Sequence, residues 1–215
     1  MKSVLVISLL TFVVILCSCE NEDGTTGIFT DRRDGHIYKW VGIGSQVWMA
    51  ENLNFDTGSG SWVNDDNSAN ADIYGRLYDW ETACDVCPDG WHLPTDDEWK
   101  TLEMYLGMSQ ADANSEGWRG TDEGGKLKET GTIHWNCPNI RSTNESGFSA
   151  LPGGNRCSHD GIYFYVGRSA NFWSSTEIHG YEPRFWCRIL YNISTRIDRG
   201  LLYKGEGLSV RCVRD

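Results

Sequence analysis

Short apolar stretches separated by turn-forming residues run along most of this chain. Residues 37–43 and 46–53 are rich in strand-forming residues, and only Gly44-Ser45 lies between them. A two-residue connection that begins with glycine is typical of a tight β-hairpin turn. Further strands are predicted at residues 147–152, 163–167, 170–175, 184–191 and 208–213. The pattern therefore predicts several small antiparallel sheets.

A helix is predicted near the middle of the chain, where apolar residues recur at helical spacing in Trp99, Leu102 and Leu106. Thr95 is suited to cap its N-terminus, and Glu98, three residues later, can accept a hydrogen bond from the Thr95 amide. The helix then begins at Asp96, and Gly107 supplies the left-handed residue that ends it. This helix and the segment before it, residues 87–95, form the stretch around which the domain is expected to pack.

An earlier helix is predicted at residues 73–84, because Tyr74, Leu77 and Tyr78 fall on one helical face. Residues 109–147 are interrupted by many glycines and are expected to be irregular. Long irregular segments in compact domains are often functional. Two short helices, small antiparallel sheets and long irregular loops together predict an α+β fold.

The first 18 residues indicate export from the cytoplasm. Lys2 precedes an apolar run at residues 4–16, which is typical of a signal peptide and shorter than the about 20 residues that span a bilayer. The sequence Leu16-Cys17-Ser18-Cys19 resembles the lipobox of bacterial lipoproteins. We therefore expect residues 1–18 to be removed and Cys19 to be lipidated. The alternative is an ordinary signal peptide that contains two cysteines.

The segment at residues 19–33 is polar and is expected to be a flexible tether to a domain at residues 34–215. Its acidic start, Glu20-Asn21-Glu22-Asp23, resembles the surface-export signal of Bacteroidetes lipoproteins. The protein is accordingly expected at the outer membrane, exposed at the cell surface and attached through its lipid anchor alone. The formal charge of −11 argues against a nucleic acid or an anionic membrane surface as a partner.

Candidate catalytic and metal-binding motifs are weak in this sequence. The five histidines are scattered, and none lies in a recognisable nucleophile motif; the many acidic residues leave a glycosidase pair open. Residues 56–72 are rich in Asn and Asp but lack the ordered pattern of a calcium-binding loop. We therefore expect no catalytic residue, no metal and no cofactor.

Six cysteines remain in the expected exported domain: Cys84, Cys87, Cys137, Cys157, Cys187 and Cys212. An even number in an exported protein favours disulfides. Cys84 and Cys87 have the C-x-x-C spacing of zinc ribbons and redox sites, although no second such pair accompanies them. Metal binding or redox chemistry is therefore the alternative to disulfides at that pair.

Six motifs resemble, in their order, those of the Fibrobacter succinogenes major paralogous domain: Y-K-W-V-x-I-G-x-Q-x-W-M-A-E-N-L, Y-G-R-L-Y-D-W, C-P-D-G-W-H-L-P-T-D-D-E-W, G-F-S-A-L-P-G-G, N-F-W-S-S-T-E and S-V-R-C-V-R-D. The resemblance covers residues 34–215. It implies an exported protein with a fold related to C-type-lectin-like domains and to the formylglycine-generating-enzyme group. Glu182-Pro183-Arg184 departs from the calcium-binding triplet of sugar-binding C-type lectins, and the paired copper-binding cysteines of the oxidising enzymes are missing.

The resemblance also implies a disulfide between Cys87 and Cys212, since both lie in matched motifs. Lectin-like folds pair a cysteine near the first helix with one in the last strand. Cys84 is the alternative partner of Cys212. If Cys87 pairs with Cys212, we expect Cys157 to pair with Cys187, which leaves the other two cysteines for each other or free.

The function expected from these observations is a non-catalytic, lectin-like binding module that recognises a glycan or a protein at the cell surface. Aromatic side chains on loops suit sugar faces and protein hot spots. The candidate ligand-binding residues lie in two irregular segments and are Trp118, Arg119, Trp135, Asn155 and Arg156. The alternatives are a structural subunit of a surface assembly and an enzyme of the formylglycine-generating kind. For each single tryptophan, a place in the core is the competing interpretation.

Overall fold

The computed structural model describes residues 25–178 and 183–215. Residues 1–24, with the expected signal peptide and Cys19, lie outside the described residues. The described part contains five helices: α1 (Ala69–Tyr74), α2 (Trp80–Asp85), α3 (Asp96–Tyr105), α4 (Gln110–Asn114) and α5 (Glu123–Leu127). It also contains a 3-10 turn at Asn64–Asp66 and the strands β1 (Thr26–Thr30), β2 (Ile37–Ile43), β3 (Gln46–Met49), β4 (Ser61–Trp62), β5 (Leu77–Tyr78), β6 (Trp91–His92), β7 (Gly117–Arg119), β8 (Asn155–Arg156), β9 (Tyr163–Phe164), β10 (Ser169–Ile178), β11 (Arg184–Tyr191), β12 (Ile197–Leu202), β13 (Leu208–Ser209) and β14 (Val213–Arg214).

The strands form two main sheets and one small pair. Five strands follow the order β1-β2-β3-β14-β6, seven follow the order β4-β5-β13-β10-β11-β12-β7, and β8 pairs with β9. Neighbouring strands are antiparallel except for β10 and β13, which are parallel. The α+β class predicted from the sequence is confirmed, whereas the relation to lectin-like folds stays a prediction.

The predicted hairpin between β2 and β3 is confirmed. Ile43 pairs with Gln46, and Gly44 between them has a φ of 62°. A positive φ is costly for most other residues, so glycine is suited to this turn.

The expected tether at residues 19–33 is wrong for the part that the structure describes. Thr26–Thr30 forms β1 and pairs along its length with β2. Phe29 stacks on Trp91, with ring centroids 4.6 Å apart. The sequence pattern did not predict this strand, because the segment contains many polar and glycine residues. Phe29 gains its packing partner only in the folded chain.

The expectation of two helices is also wrong, because the described residues contain five short ones. The helix predicted at residues 73–84 is divided into α1, the two-residue strand β5 and α2. Gly75, with a φ of 68°, ends α1. Leu77 and Tyr78 then join the seven-stranded sheet through β13. The segment at residues 109–147 was expected to be irregular, but it contains α4, β7 and α5. A strand was predicted at residues 147–152, but this segment forms only an isolated bridge at Ala150.

Helix α3 begins where the sequence predicts. The Thr95 hydroxyl accepts a hydrogen bond from the Glu98 amide at 3.2 Å, and the Glu98 carboxylate accepts one from the Thr95 amide at 2.8 Å. This reciprocal pair satisfies two amides that have no partner inside the helix. Trp99 then points into the core, where it is 1% exposed.

Two apolar clusters form the core. In the first, the rings of Trp48, Trp99, Phe148 and Phe172 lie with centroids 4.8–5.8 Å apart. The second includes Tyr38, Met49, Trp91 and Trp173. Strands β2 and β3 contribute alternate residues to the two clusters, as strand geometry requires, so the middle of the five-stranded sheet is buried on both faces.

A buried network of charges joins α3 to the seven-stranded sheet. Asp96 pairs with Arg199 at 2.7 Å and with Arg188 at 2.9 Å, and Glu103 pairs with Arg188 at 2.6 Å and with Arg119 at 2.8 Å. Burial raises the pKa of Asp96, but the hydrogen bond from Arg199 and the charge of Arg188 outweigh it and hold the pKa well below its ordinary value. Each buried charge therefore has a partner, as burial demands.

The disulfide between Cys87 and Cys212 is confirmed, with Cα atoms 6.0 Å apart and a sequence separation of 125. The predicted disulfide between Cys157 and Cys187 is wrong, because both are free thiols. Cys187 is completely buried in the middle of β11, where its neighbours are Trp173 and Gly200 on the adjacent strands.

Candidate functional site

Two of the five predicted ligand-binding residues are buried. The Arg119 guanidinium donates to both carboxylate oxygens of Glu103, at 2.8 and 2.9 Å. The Trp135 indole N–H donates to the Ala150 carbonyl at 3.0 Å, and the side chain lies in the first core cluster. Their assignment to a ligand site is therefore wrong: Arg119 balances a buried carboxylate, and Trp135 fills the core.

Trp118 differs from these two, because 41% of its surface is exposed. Its ring packs on Tyr191 with centroids 5.2 Å apart, Tyr191 meets Tyr165 at 6.3 Å, and Tyr165 meets Phe164 at 6.1 Å. Tyr165 and Phe164 are also exposed, and Tyr191 is half-buried. We call Trp118, Tyr191, Tyr165 and Phe164 the aromatic surface. Contiguous exposed apolar groups of this kind mark interaction sites in soluble proteins.

The register of the seven-stranded sheet places an acidic residue beside Trp118. Trp118 on β7 lies directly opposite Asp198 on β12, and Asp198 lies opposite Ile189 on β11. Residues opposite one another in antiparallel strands project from the same face. Tyr191, two residues after Ile189, projects from that face too. Asp198 therefore lies at the foot of the aromatic surface.

The Asp198 carboxylate has no hydrogen bond or ion pair among the described residues. It is half-buried, and burial raises its pKa, although the charge of Arg119 on the other side of the sheet opposes that shift. The phenol of Tyr191 also has a raised pKa, through burial first and then through the charges of Tyr165 and Asp198. A half-buried carboxylate without a partner is an acceptor that a ligand can satisfy.

The rings of the aromatic surface are inclined to one another. The interplanar angle is 46° between Trp118 and Tyr191 and 72° between Tyr191 and Tyr165. Tyr165 also has a φ of 64°, which is uncommon for a residue with a bulky side chain. Strained backbone of this type is found most often at functional sites. The four rings therefore do not lie in one plane and present their faces in different directions.

A buried lysine fixes the turn that carries Tyr191. The Lys128 ammonium donates to the carbonyls of Ser194 at 2.9 Å, Tyr191 at 3.0 Å and Ile140 at 3.2 Å. The side chain is fully buried, and burial lowers its pKa to about 8. One cation thus joins three carbonyls from two chain segments and fixes the turn after Tyr191.

The sequence from β2 to β14 identifies the family to which the chain belongs. Residues 41–214 match the model of the Fibrobacter succinogenes major domain. The chain belongs to this family. Comparisons with curated proteins and with solved structures gave no match. The matched range of the Fibrobacter succinogenes major domain includes the disulfide, the aromatic surface and Asp198, whereas β1 precedes it.

Two more residues of this Fibrobacter succinogenes major domain were predicted to bind a ligand, Asn155 and Arg156. They are consecutive in β8, so their side chains point in opposite directions. Asn155 lies opposite Phe164, so it belongs to one end of the aromatic surface. The Arg156 guanidinium lies over the ring of Trp62 in a cation–π contact, 4.3 Å from its centroid. Arg156 therefore takes part in a separate surface contact.

A groove of about 550 Å³ lies elsewhere in the domain, between β1, β2 and residues 147–151. Its two carboxylates already have partners. Glu51 accepts hydrogen bonds from the amide and the ammonium of Lys39 at 2.8 and 3.2 Å, and Glu129 bonds to His134 at 2.9 Å. The aromatic surface, with its unpaired Asp198, is therefore the better candidate.

Within the described ranges, no group of three or more His, Cys, Asp or Glu side chains is arranged to hold a metal ion. None of the helices in those ranges has the length and apolar character to cross a bilayer. Phe164, Tyr165, Tyr191 and Asp198 were not identified as site residues from the sequence. Residues 184–191 were predicted as a strand, but β12 was not, so the position of Asp198 opposite Trp118 could not be inferred.

Proposed function

We propose that this protein is a non-catalytic, lectin-like binding module, held at the cell surface by a lipid on Cys19, and that the aromatic surface binds its ligand, a glycan or a protein. The anchor rests on the lipobox-like sequence, and the lectin-like character rests on the family resemblance. Mass spectrometry of the mature N-terminus tests the anchor. It should find a diacylglyceryl or triacylglyceryl cysteine at position 19, and an unmodified Cys19 would refute it.

The observation that carries the binding role is the exposure of aromatic rings beside a carboxylate that lacks a partner. Exposed Trp and Tyr side chains contribute most to recognition when a ligand covers them. Lys128 holds the turn after Tyr191, so little conformational entropy is lost when a ligand orders this site. No specific observation among the described residues favours the structural subunit or the enzyme over this function.

The test is the substitution Trp118→Ala, measured on a glycan array and in a pull-down from intact cell envelopes. A central aromatic residue contributes about 2 kcal/mol or more, so binding should weaken by about 30-fold. The free energy of unfolding should fall by only about 1 kcal/mol, since the ring loses little beyond its contact with Tyr191.

Tyr105→Ala is the matched control. Tyr105 is 64% exposed on α3, a helix that packs against the other face of the seven-stranded sheet. This variant should bind like the wild type. The proposed function is overturned if Trp118→Ala remains folded and binds every wild-type ligand with unchanged affinity.

A further inference from the structure

We infer that the ligand is a glycan with a free amino group, and that its ammonium lies beside Asp198, against the packed rings of Trp118 and Tyr191. This inference rests on the proposed binding function and adds the chemistry that the site selects. It follows from the charge, the ring geometry and the size of the aromatic surface.

The charge of the site favours a cation. The Asp198 carboxylate is half-buried and has no partner among the described residues. Two guanidinium groups near Asp198 are engaged elsewhere: Arg196 donates to the Trp118 carbonyl at 2.6 Å, and Arg119 binds Glu103. An ammonium group would supply the charge and the hydrogen-bond donors that Asp198 lacks. The formal charge of −11 over the chain favours the approach of the same ligand.

The geometry of the rings also favours a cation. An ammonium group is attracted to the face of an aromatic ring within about 6 Å of its centroid. The Trp118 and Tyr191 centroids are 5.2 Å apart and the rings are inclined at 46°, so a cation placed on the open side of this packed pair can lie within about 6 Å of both rings. Opposite Trp118, Asp198 supplies the negative charge. Aromatic faces are known to bind ligand cations in this way, and the carboxylate adds a charge of the opposite sign.

The size of the aromatic surface favours a glycan over a protein. An aromatic side chain offers about 150–250 Å², and the three exposed rings are 40–50% accessible, which leaves roughly 200–400 Å² in all. A stable protein interface covers about 800 Å² on each partner. The centroids of Phe164, Tyr165 and Tyr191 are 6.1 and 6.3 Å apart in turn, so the carbon–hydrogen faces of neighbouring sugar rings can contact neighbouring aromatic rings.

The experiment compares two oligosaccharides that differ only in charge. The mature protein is titrated by calorimetry with glucosamine oligomers and with N-acetylglucosamine oligomers of equal length, at about pH 6, between the ordinary pKa values of a carboxylic acid and an amine. The wild type should bind the amino form at least about tenfold more tightly, and Asp198→Asn should lose this preference. Asp97→Asn, at an exposed position on α3, should retain it.

The remaining outcomes separate the two proposals. If the wild type binds both oligomers equally and only Trp118→Ala weakens binding, the amino-group inference is overturned and the binding function stands. The same holds if neither oligomer binds while another glycan or an envelope protein binds through Trp118. If no array or envelope ligand depends on Trp118, both the inference and the proposed function fail.

Discussion

Arg211 is a buried cation whose charge faces backbone carbonyls instead of carboxylates. It donates to the carbonyls of Met49 at 3.1 Å, Ser149 at 2.8 Å and Phe148, and to the Asn52 side chain at 2.7 Å. Burial lowers the pKa of its guanidinium to about 9. Its planar, forked group reaches several acceptors at once, which a lysine ammonium cannot do in the same geometry. Arg211 thereby ties the last strand region to two other motifs of the family.

Substitution of Arg211 by Met should therefore be strongly destabilising. The change leaves four acceptors without their donor, and each buried unsatisfied group costs about 1–3 kcal/mol. We expect the free energy of unfolding, measured in urea, to fall by at least about 3 kcal/mol. Arg32→Met, at an exposed position, should change it by less than about 0.5 kcal/mol. Equal stability of the two variants would show that the carbonyls find other partners.

At the scale of elements, His92 joins three parts of the chain. It lies on β6, opposite Val213 of β14, and its ring bonds to Glu98 in the first turn of α3 at 2.9 Å and to Asp215 at 2.6 Å. Partial burial lowers the pKa of His92, but the hydrogen bonds to Asp215 and Glu98 outweigh it and raise the pKa above its ordinary value. Folding therefore favours the protonated imidazole.

This raised pKa predicts a pH dependence of stability with a definite sign. The stabilisation from His92 is fully present below about pH 6.5, the pKa of an unfolded histidine, and is lost as the pH rises through the folded value. Because the three side chains are partly exposed, we expect only about 0.2–1 kcal/mol. The difference in unfolding free energy between the wild type and His92→Gln should shrink from about pH 6 to about pH 8. A difference that grows with pH would contradict this assignment.

The local signals of the sequence were enough to predict the hairpin at Gly44 and the start of α3 at Thr95. In both places the structure depends on residues within a few positions of each other. The strand β1 and the division of the helix expected at residues 73–84 depend on distant partners, Trp91 and β13. Trp118 was predicted as a ligand-binding residue, but its neighbour Asp198 was not, since the two are brought together only by strand pairing.

At the scale of the whole molecule, the disulfide closes the fold around the predicted central stretch. It joins Cys87, just before α3, to Cys212, next to Arg211. In the chain-entropy model, a closed loop of this length lowers the entropy of the unfolded chain and thereby stabilises the folded state by about 4–5 kcal/mol. The aromatic surface lies on β7, β9 and β11 and the turn after β9, and neither cysteine belongs to it. We therefore expect a rigid scaffold that presents the site without taking part in it.

The most direct test of the binding role is a ligand titration followed by NMR of the tryptophan indole N–H signals. The indole groups of Trp99, Trp135 and Trp173 are buried and donate to backbone carbonyls, so their signals should stay in place. The signal of Trp118 should shift in proportion to the bound fraction. Shifts at the Trp40 or Trp62 signal, with Trp118 unchanged, would place the ligand elsewhere and contradict the account.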